Sequence, residues 1–259
     1  MIHLLYNEWI KASHKISTWL MLALYIILTP VIYFIFQNFT VNIQGDDLKV
    51  AEAFLFNIES VWEITTFFSS YLVWLFVFII VSITADDLRH NIWKQHVIEG
   101  LNRNQLITSK IVLILILAFF GSLITGIVAC ITLLDSGVVF VMADLKVILD
   151  ISARYFLYLT AIMILSLLVV ILIKSSGLTI IMLLGWFWIA EPIIRWIDKS
   201  EFTQYLFANS FNDLITNPIS KLMELPDFQL ASEHAIIATV VWIGVILGLT
   251  FLKVNKSDL

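Results

Sequence analysis

The chain has 259 residues, of which 60% are hydrophobic and 14% are charged, and its mean hydropathy is +0.96. Soluble domains carry about 25% charged residues, so this chain lacks the polar surface that a soluble globular protein of its size needs. Its one cysteine, Cys130, excludes an intrachain disulfide. We therefore expect an all-α polytopic membrane protein with a single transmembrane domain over residues 1–259.

The first predicted element is an amphipathic segment over residues 1–15. Leu4, Leu5, Trp9 and Ala12 recur at helical spacing, and tryptophan is favoured at the level of the lipid headgroups. We predict an N-terminal interfacial helix that leads into the first span. A frayed tail is the alternative.

Six apolar runs follow that approach the roughly 20 residues needed for a spanning helix. They cover residues 16–36, 64–85, 111–134, 155–173, 177–197 and 235–252. The first run is longer than a signal-peptide core of about 7–15 residues, and no small-residue cleavage site follows it. We therefore predict that it is a retained span.

The distribution of charge predicts the orientation of these spans. With six spans, one side holds both termini, with nine basic and five acidic residues, and the other side holds six basic and fifteen acidic residues. Because lysine and arginine are enriched on the cytoplasmic side of membrane proteins, we expect both termini to be cytoplasmic.

The connection between spans two and three is compact and charged. Asp86 or Asp87 can cap a helix start and Gly100 can end it, so we predict a cytoplasmic helix over about residues 87–99. Lys110 is expected to reach the headgroups. The functional interpretation is a docking surface for a soluble partner, and the alternative is a plain interfacial linker.

The sequence carries no motif for chemistry of its own. It has no Gly-rich phosphate loop, no H-E-x-x-H and no Cys/His cluster, so we predict no catalytic residue, no metal site and no nucleotide hydrolysis in this chain. Hydroxyl and aromatic side chains in spans two and five suit amphiphilic ligands. The possible substrate path consists of Ser69, Tyr71, Trp74, Trp186 and Trp188, for which ordinary helix packing is the alternative.

One pair of opposite charges lies near the outer end of span five. Glu191 and Arg195 are four residues apart, on either side of Pro192. They are either a possible outer gate or an ordinary i,i+4 ion pair at a helix end.

The run "NIWKQHVIEGLNRNQLITSK" resembles the signature of ABC-2 type transporter permeases. Its Glu99, Gly100, Arg103 and Lys110 match a pattern of Glu, Gly and Arg followed by the Lys that opens span three. The N-terminal "NEWIKASHK" is similar to the elbow helix that precedes span one in that family. The topology extends the resemblance over the whole chain, while the turn at residues 102–104 departs from the Ser or Pro that many members have there.

The resemblance implies a dimer of permease chains, identical or similar, above two copies of a separate ABC ATP-binding subunit. That subunit would bind ATP and Mg, and the present chain would need no cofactor. The helix after span two would be the coupling helix, and the residues implied in ATPase coupling are Arg89, Trp93, Val97, Glu99, Gly100 and Arg103.

The implied function is export of an amphiphilic, peptide or lipid-like substrate across a bacterial cytoplasmic (inner) membrane. The lipid bilayer is the surrounding partner, and we expect no nucleic-acid partner. One alternative is a non-transporting receptor, immunity or assembly subunit on the same scaffold. Another is an intramembrane enzyme, which the lack of catalytic groups in the spans disfavours.

Overall fold

The computed structural model describes residues 2–37, 40–43, 46–49, 58–136, 144–197, 201–218 and 232–256. Within these ranges the chain is helical apart from turns and one short hairpin. The hairpin pairs β1 (Thr40–Ile43) with β2 (Asp46–Lys49) in antiparallel register.

The helices, numbered in chain order, have the following bounds. The first half contains α1 (Ile2–His14), α2 (Ile16–Gln37), α3 (Ile58–Ser70), α4 (Val73–Arg89), α5 (Ile92–Ile98) and α6 (Arg103–Ser136). The second half contains α7 (Asp144–Ile173), α8 (Ser176–Gly185), a π-helical segment (Trp186–Ala190), α9 (Glu191–Ile197), α10 (Glu201–Gln204), α11 (Phe207–Asn212) and α12 (Ser232–Lys256).

Among the residues that the structure describes, six helical stretches are long and apolar enough to cross a membrane, which confirms the predicted all-α polytopic class. They are Ile16–Ile35, Ile58–Arg89, Arg103–Leu134, Asp144–Ile173, Ser176–Ile194 and Glu233–Lys256. The second, third and fourth begin earlier than the apolar runs. Their first turns are helical but contain charged residues, which interrupt the apolar run that hydropathy detects.

Two of these stretches are interrupted. The second consists of α3 and α4, joined by a turn at Tyr71 and Leu72. The fifth changes from α8 to the π-helical segment and then to α9. π-helical turns are rare and occur frequently at functional sites.

Helix α7 occupies the centre of the bundle. It packs against α3, α4, α6, α8, α11 and α12, and 72% of its most apolar window is buried. By contrast, only 22% of the corresponding window is buried in the first, fifth and sixth stretches. A helix that is apolar on all sides is stable only when other helices or lipid surround it. Here α7 is enclosed by protein, and the outer helices present their apolar sides to the surroundings.

A hydroxyl network joins three helices in this core. The Tyr25 hydroxyl lies 2.7 Å from Thr125 Oγ1 and 2.9 Å from the Tyr155 hydroxyl, and it donates to the Gly121 carbonyl oxygen at 3.2 Å. Tyr25 and Tyr155 are both essentially buried. Because an apolar interior leaves no water to pair with these groups, each hydroxyl specifies how α2, α6 and α7 pack together.

Gly121 allows α6 to approach its neighbours closely. A Cβ atom there would lie 2.9 Å from Phe76 Cε2 on α4 and 3.0 Å from Leu159 Cδ1 on α7. In α12, by contrast, nothing lies within 4 Å of a Cβ added at Gly244 or Gly248. Within the described residues, Gly121 therefore lies at a close helix contact, whereas Gly244 and Gly248 do not.

We expect Gly121→Val to lower the thermal unfolding temperature of the detergent-purified protein, because the added atoms overpack the contact with Phe76 and Leu159. Overpacking of this kind costs about 1–3 kcal/mol. The matched control is Gly248→Val, which makes the same change within a helix where the space is open. Equal unfolding temperatures for the two variants would contradict the assignment of Gly121 to the tight contact.

Candidate functional site

The inner-loop helix predicted over residues 87–99 is shorter than expected. Helix α4 continues through Asp87 to Arg89, and Asn91 then adopts a left-handed conformation with φ of 54° before α5 begins at Ile92. The prediction that Asp86 or Asp87 caps this helix is wrong. Both lie in the last turns of α4, where Asp86 pairs with Lys15, and Asp87 pairs with Lys11 and Lys110. The predicted end of the helix near Glu99 is confirmed.

Helix α5 has one side in the bundle and one side exposed. Trp93 is 2% exposed and belongs to the main core, and Val97 packs against the same core. Ile98, by contrast, is 85% exposed, and Lys94 and Glu99 are exposed beside it. The packed side holds α5 in place and leaves the other side available for contact.

Gly100 ends α5 in a Schellman motif. Its φ is +92°, its N–H donates to the Val97 carbonyl at 3.1 Å, and the Leu101 N–H donates to the His96 carbonyl at 3.0 Å. These bonds satisfy carbonyl groups that the helix end would otherwise leave unpaired. The expectation that Gly100 terminates the helix is confirmed.

Arg103 joins the start of α6 to the end of α12. Its Nη1 donates to the carbonyl oxygens of Val254 and Asn255, at 3.1 Å in each case. A guanidinium group is well suited to the C-terminal end of a helix, where unpaired carbonyls and the helix dipole are negative. Arg103 therefore holds the end of α12 against the start of α6. Arg89, by contrast, is exposed at the end of α4.

A cluster of four charged groups, three of them buried, lies at the end of α4. The Lys110 ammonium contacts Glu8 Oε2 and Asp87 Oδ2, each at 2.5 Å, and the Lys11 ammonium lies 3.1 Å from Asp87 Oδ1 and 3.4 Å from Glu8 Oε1. We call these residues the four-charge cluster. It brings together α1, the end of α4 and the start of α6, and its formal charges cancel.

The expected position of Lys110 at the headgroups is wrong. Its side chain is 1% exposed, and those of Asp87 and Glu8 are 3% and 8% exposed. Spacing along the chain indicates only the Glu8–Lys11 pair, three residues apart in α1. It does not reveal the partners of Lys110, because Glu8 and Asp87 lie 102 and 23 residues away from it.

The cluster stabilises the charged form of Lys11. Burial disfavours its positive charge, but the carboxylates of Glu8 and Asp87 outweigh that effect and raise the pKa of the Lys11 ammonium above its ordinary value. Lys11 is therefore held in its charged form. We call the end of the bundle that carries this cluster, α5 and the C-terminal end of α12 the basic end.

The proposed substrate-path residues lie toward the opposite end of the bundle. Tyr71, Trp74 and Trp188 line one cavity of about 260 Å³. Trp186 stacks on Phe207 instead, with ring centroids 5.4 Å apart and planes inclined by 20°. Ser69 is buried at 2% exposure and is not among the residues that line the cavity. The structure thus brings three of the five residues together.

Glu191 connects two parts of this end of the bundle. It is 1% exposed, and its carboxylate accepts hydrogen bonds from the Trp186 indole N–H at 3.0 Å and from the Asn209 backbone N–H. Asn209 lies in the first turn of α11, where an anion is favoured. The side chain of Arg195 lies outside the described residues, so the outer-gate hypothesis for this pair stays a prediction.

These features define a predominantly helical, multi-pass protein with a neutral, largely buried ionic cluster at one end and an aromatic cavity away from it. A family model described as a protein of unknown function (DUF2705) matches residues 39–259. The chain belongs to this family, and the match includes Asp87, Lys110 and the cavity. A search of curated proteins finds no match.

We expect Lys110→Met to destabilise the protein strongly, because Glu8 and Asp87 would lose their shared cation while remaining buried. Breaking a buried ion pair by removing one partner costs about 3–5 kcal/mol. Thermal unfolding in detergent measures the effect. The matched control, Lys94→Met, alters an exposed lysine on α5 and should change little. Adding Asp87→Asn to Lys110→Met should recover part of the loss, and a double variant less stable than Lys110→Met would refute the charge-balance explanation.

The raised pKa of Lys11 predicts a pH dependence. Charged Lys11 should stabilise the fold fully below its unfolded-state pKa of about 10.5 and lose that effect as the pH rises through its higher folded-state pKa. The stability difference between the wild type and Lys11→Met should therefore be large at a pH of about 8 to 9 and should shrink as the pH rises beyond about 10.5. A difference that stays constant from about pH 8 to above 10.5 would show that Lys11 acts through packing alone.

Proposed function

We propose that the chain is the membrane-spanning permease of an ATP-driven exporter of the ABC-2 type, and that α5 receives a separate ATP-binding subunit. The observation that carries this proposal is that α5 has one buried side and one exposed side. Trp93 is 2% exposed in the core, whereas Ile98, five residues later, is 85% exposed. A plain linker needs no anchored helix with an exposed apolar tip.

The exposed side of α5 has the composition of a protein contact. Ile98 is an apolar tip, and Lys94 and Glu99 flank it with charges of both signs. Binding energy is concentrated in a few central residues surrounded by weaker polar contacts. A soluble subunit with an apolar pocket and a charged rim fits this pattern.

The connections of α5 suit the transmission of movement. Asn91 joins it to α4, and Gly100 joins it to α6 through only four residues, 99–102. Behind it, Asp87 and Lys110 tie the ends of those two helices to each other. A displacement of α5 would therefore move α4 and α6 together. Such rigid-body movement is a common way to switch a transporter between conformations.

The proposal includes an orientation and an assembly. The basic end faces the cytoplasm of a bacterium, as the excess of lysine and arginine on that side favours. Two ATP-binding subunits, which carry ATP and Mg, sit beneath two permease chains, identical or similar. The substrate is amphiphilic, with peptide-like or lipid-like character, and moves outward across the cytoplasmic membrane.

Changing the exposed tip of α5 should separate folding from coupling. We expect Ile98→Ser combined with Glu99→Lys to reduce co-purified ATPase activity by roughly tenfold or more, because central contact residues are commonly worth above 1 kcal/mol. The unfolding temperature should stay unchanged, since both side chains are exposed. Affinity purification from the native membrane, followed by an ATP hydrolysis assay, measures the first effect.

The matched control is Ile16→Ser. Ile16 is 83% exposed and begins α2, next to α1, so the same side chain is removed from the basic end but not from α5. An ATPase that stays bound to the Ile98 and Glu99 variant would contradict the docking role. ATPase association without ATP-dependent movement of any substrate in proteoliposomes would favour the receptor, immunity or assembly alternative.

A further inference from the structure

The cavity toward the end opposite the four-charge cluster lies between the two interrupted spans and the segment that precedes α12. Its volume is about 260 Å³. Trp74, on its wall, precedes Arg89 by fifteen residues of a continuous helix, which is about 22 Å along the axis. The hydrocarbon core of a bilayer is about 30 Å thick. The cavity therefore lies well away from α5, about midway along the second stretch.

Aromatic rings form most of the cavity wall. Tyr71 and Trp188 make an edge contact with centroids 6.3 Å apart, and Trp74 and Phe187 make another at 5.5 Å. Trp188 is 60% exposed and Tyr71 is 50% exposed. Such edge-to-face arrangements hold the rings in fixed positions, while their exposed faces remain available to a ring or an alkyl chain.

The polar groups on the wall are all neutral. Ser70, Tyr158, Asn212 and Asn217 contribute hydroxyl and amide groups, and none of the described lining residues carries a charge. A charged ligand that bound there would lose the hydration of its charge without gaining a counter-charge, which is costly. Hydroxyl and amide groups of a ligand, by contrast, can exchange water for hydrogen bonds with these side chains.

The irregular backbone around the cavity is held by specific contacts. The π-helical segment places Phe187 and Trp188 on the wall, and Glu191 directly after it binds the first turn of α11. On the other side of that short helix, the Thr239 hydroxyl donates to the Ser210 carbonyl at 3.0 Å. The wall that carries Asn212 is therefore fixed between the fifth and sixth spans, which is the pre-organisation that a binding site requires.

We propose that this cavity binds uncharged amphiphiles, in which an apolar chain or ring lies against the aromatic wall and hydroxyl or amide groups meet Ser70 and Asn212. The assignment deepens the proposed export function, on which it rests for its role as a substrate site. It narrows the substrate class to neutral polar head groups and disfavours phosphates and free carboxylates. Glu191 serves as a positioning residue that keeps α11 in place.

Binding is tested on the purified full chain in lipid nanodiscs, without any ATPase. The probe is an alkyl glucoside with a brominated chain, because bromine quenches tryptophan fluorescence at short range. The comparison compound is an alkyl phosphate with the same brominated chain. We expect saturable quenching with the glucoside and only unsaturable quenching, from partition into lipid, with the phosphate.

Variants locate the quenching. Trp74→Phe should reduce its saturable part, whereas Trp19→Phe, which changes a 54% exposed tryptophan near the basic end, should leave that part unchanged. Asn212→Leu should weaken glucoside binding by roughly fivefold, since a neutral hydrogen bond contributes about 1 kcal/mol. Asn212 is exposed, so the unfolding temperature should be retained.

Three outcomes would overturn the proposal. Unsaturable quenching by the glucoside would exclude the binding site, and equal saturation by the phosphate would exclude the neutral head-group preference. Equal effects of Trp74→Phe and Trp19→Phe would exclude the location. The binding assay contains no ATPase, so it is independent of the co-purification test. Saturable binding together with failure to co-purify an ATPase would refute the export function and support the binding site.

Discussion

The four-charge cluster is the constraint on which the basic end of the molecule depends. Lys110 is almost completely buried, and an unpaired ammonium group in an apolar setting costs several kcal/mol. Its ammonium contacts one carboxylate from α1, Glu8, and one from the end of α4, Asp87. The cluster therefore determines where the N-terminal helix lies and how the polar connection leaves the bundle.

The position of α5 follows from this arrangement. Asp87 is held in the last turns of α4, so the chain turns only at His90 and Asn91, and the left-handed Asn91 starts a separate short helix. Gly100 and the polar turn then return the chain to α6. The helix is short because both of its ends are set by neighbouring helices, and its exposed tip results from burying Trp93.

Helix α4 physically joins the two features of interest. Trp74 lines the cavity near one end of α4, and Asp87 belongs to the cluster near the other, thirteen residues or about 20 Å away. Between them, Phe76 packs against the Gly121 contact and against Tyr25. In the proposed transporter, a movement of α5 would reach the cavity through this one packed helix.

Hydropathy and charge in the sequence determined the membrane class, the six spans and the presence of a short helix ended by Gly100. These properties are local, because a run of apolar residues must avoid water wherever it lies and a glycine tolerates a left-handed turn whatever surrounds it. The aromatic and hydroxyl character of spans two and five was equally visible, and it identified three residues of the cavity.

Only the tertiary structure decided which charges pair and which surfaces remain exposed. Lys110 could pair with any acid near the membrane boundary, and its partners are separated from it by 23 and 102 residues. The same limit applies to the contacts of Arg103 with the end of α12 and of Glu191 with α11. It also applies to the finding that Gly121, and not Gly248, lies at a close helix contact. Each depends on helices that are distant in sequence, and periodicity within one helix carries no information about its neighbour.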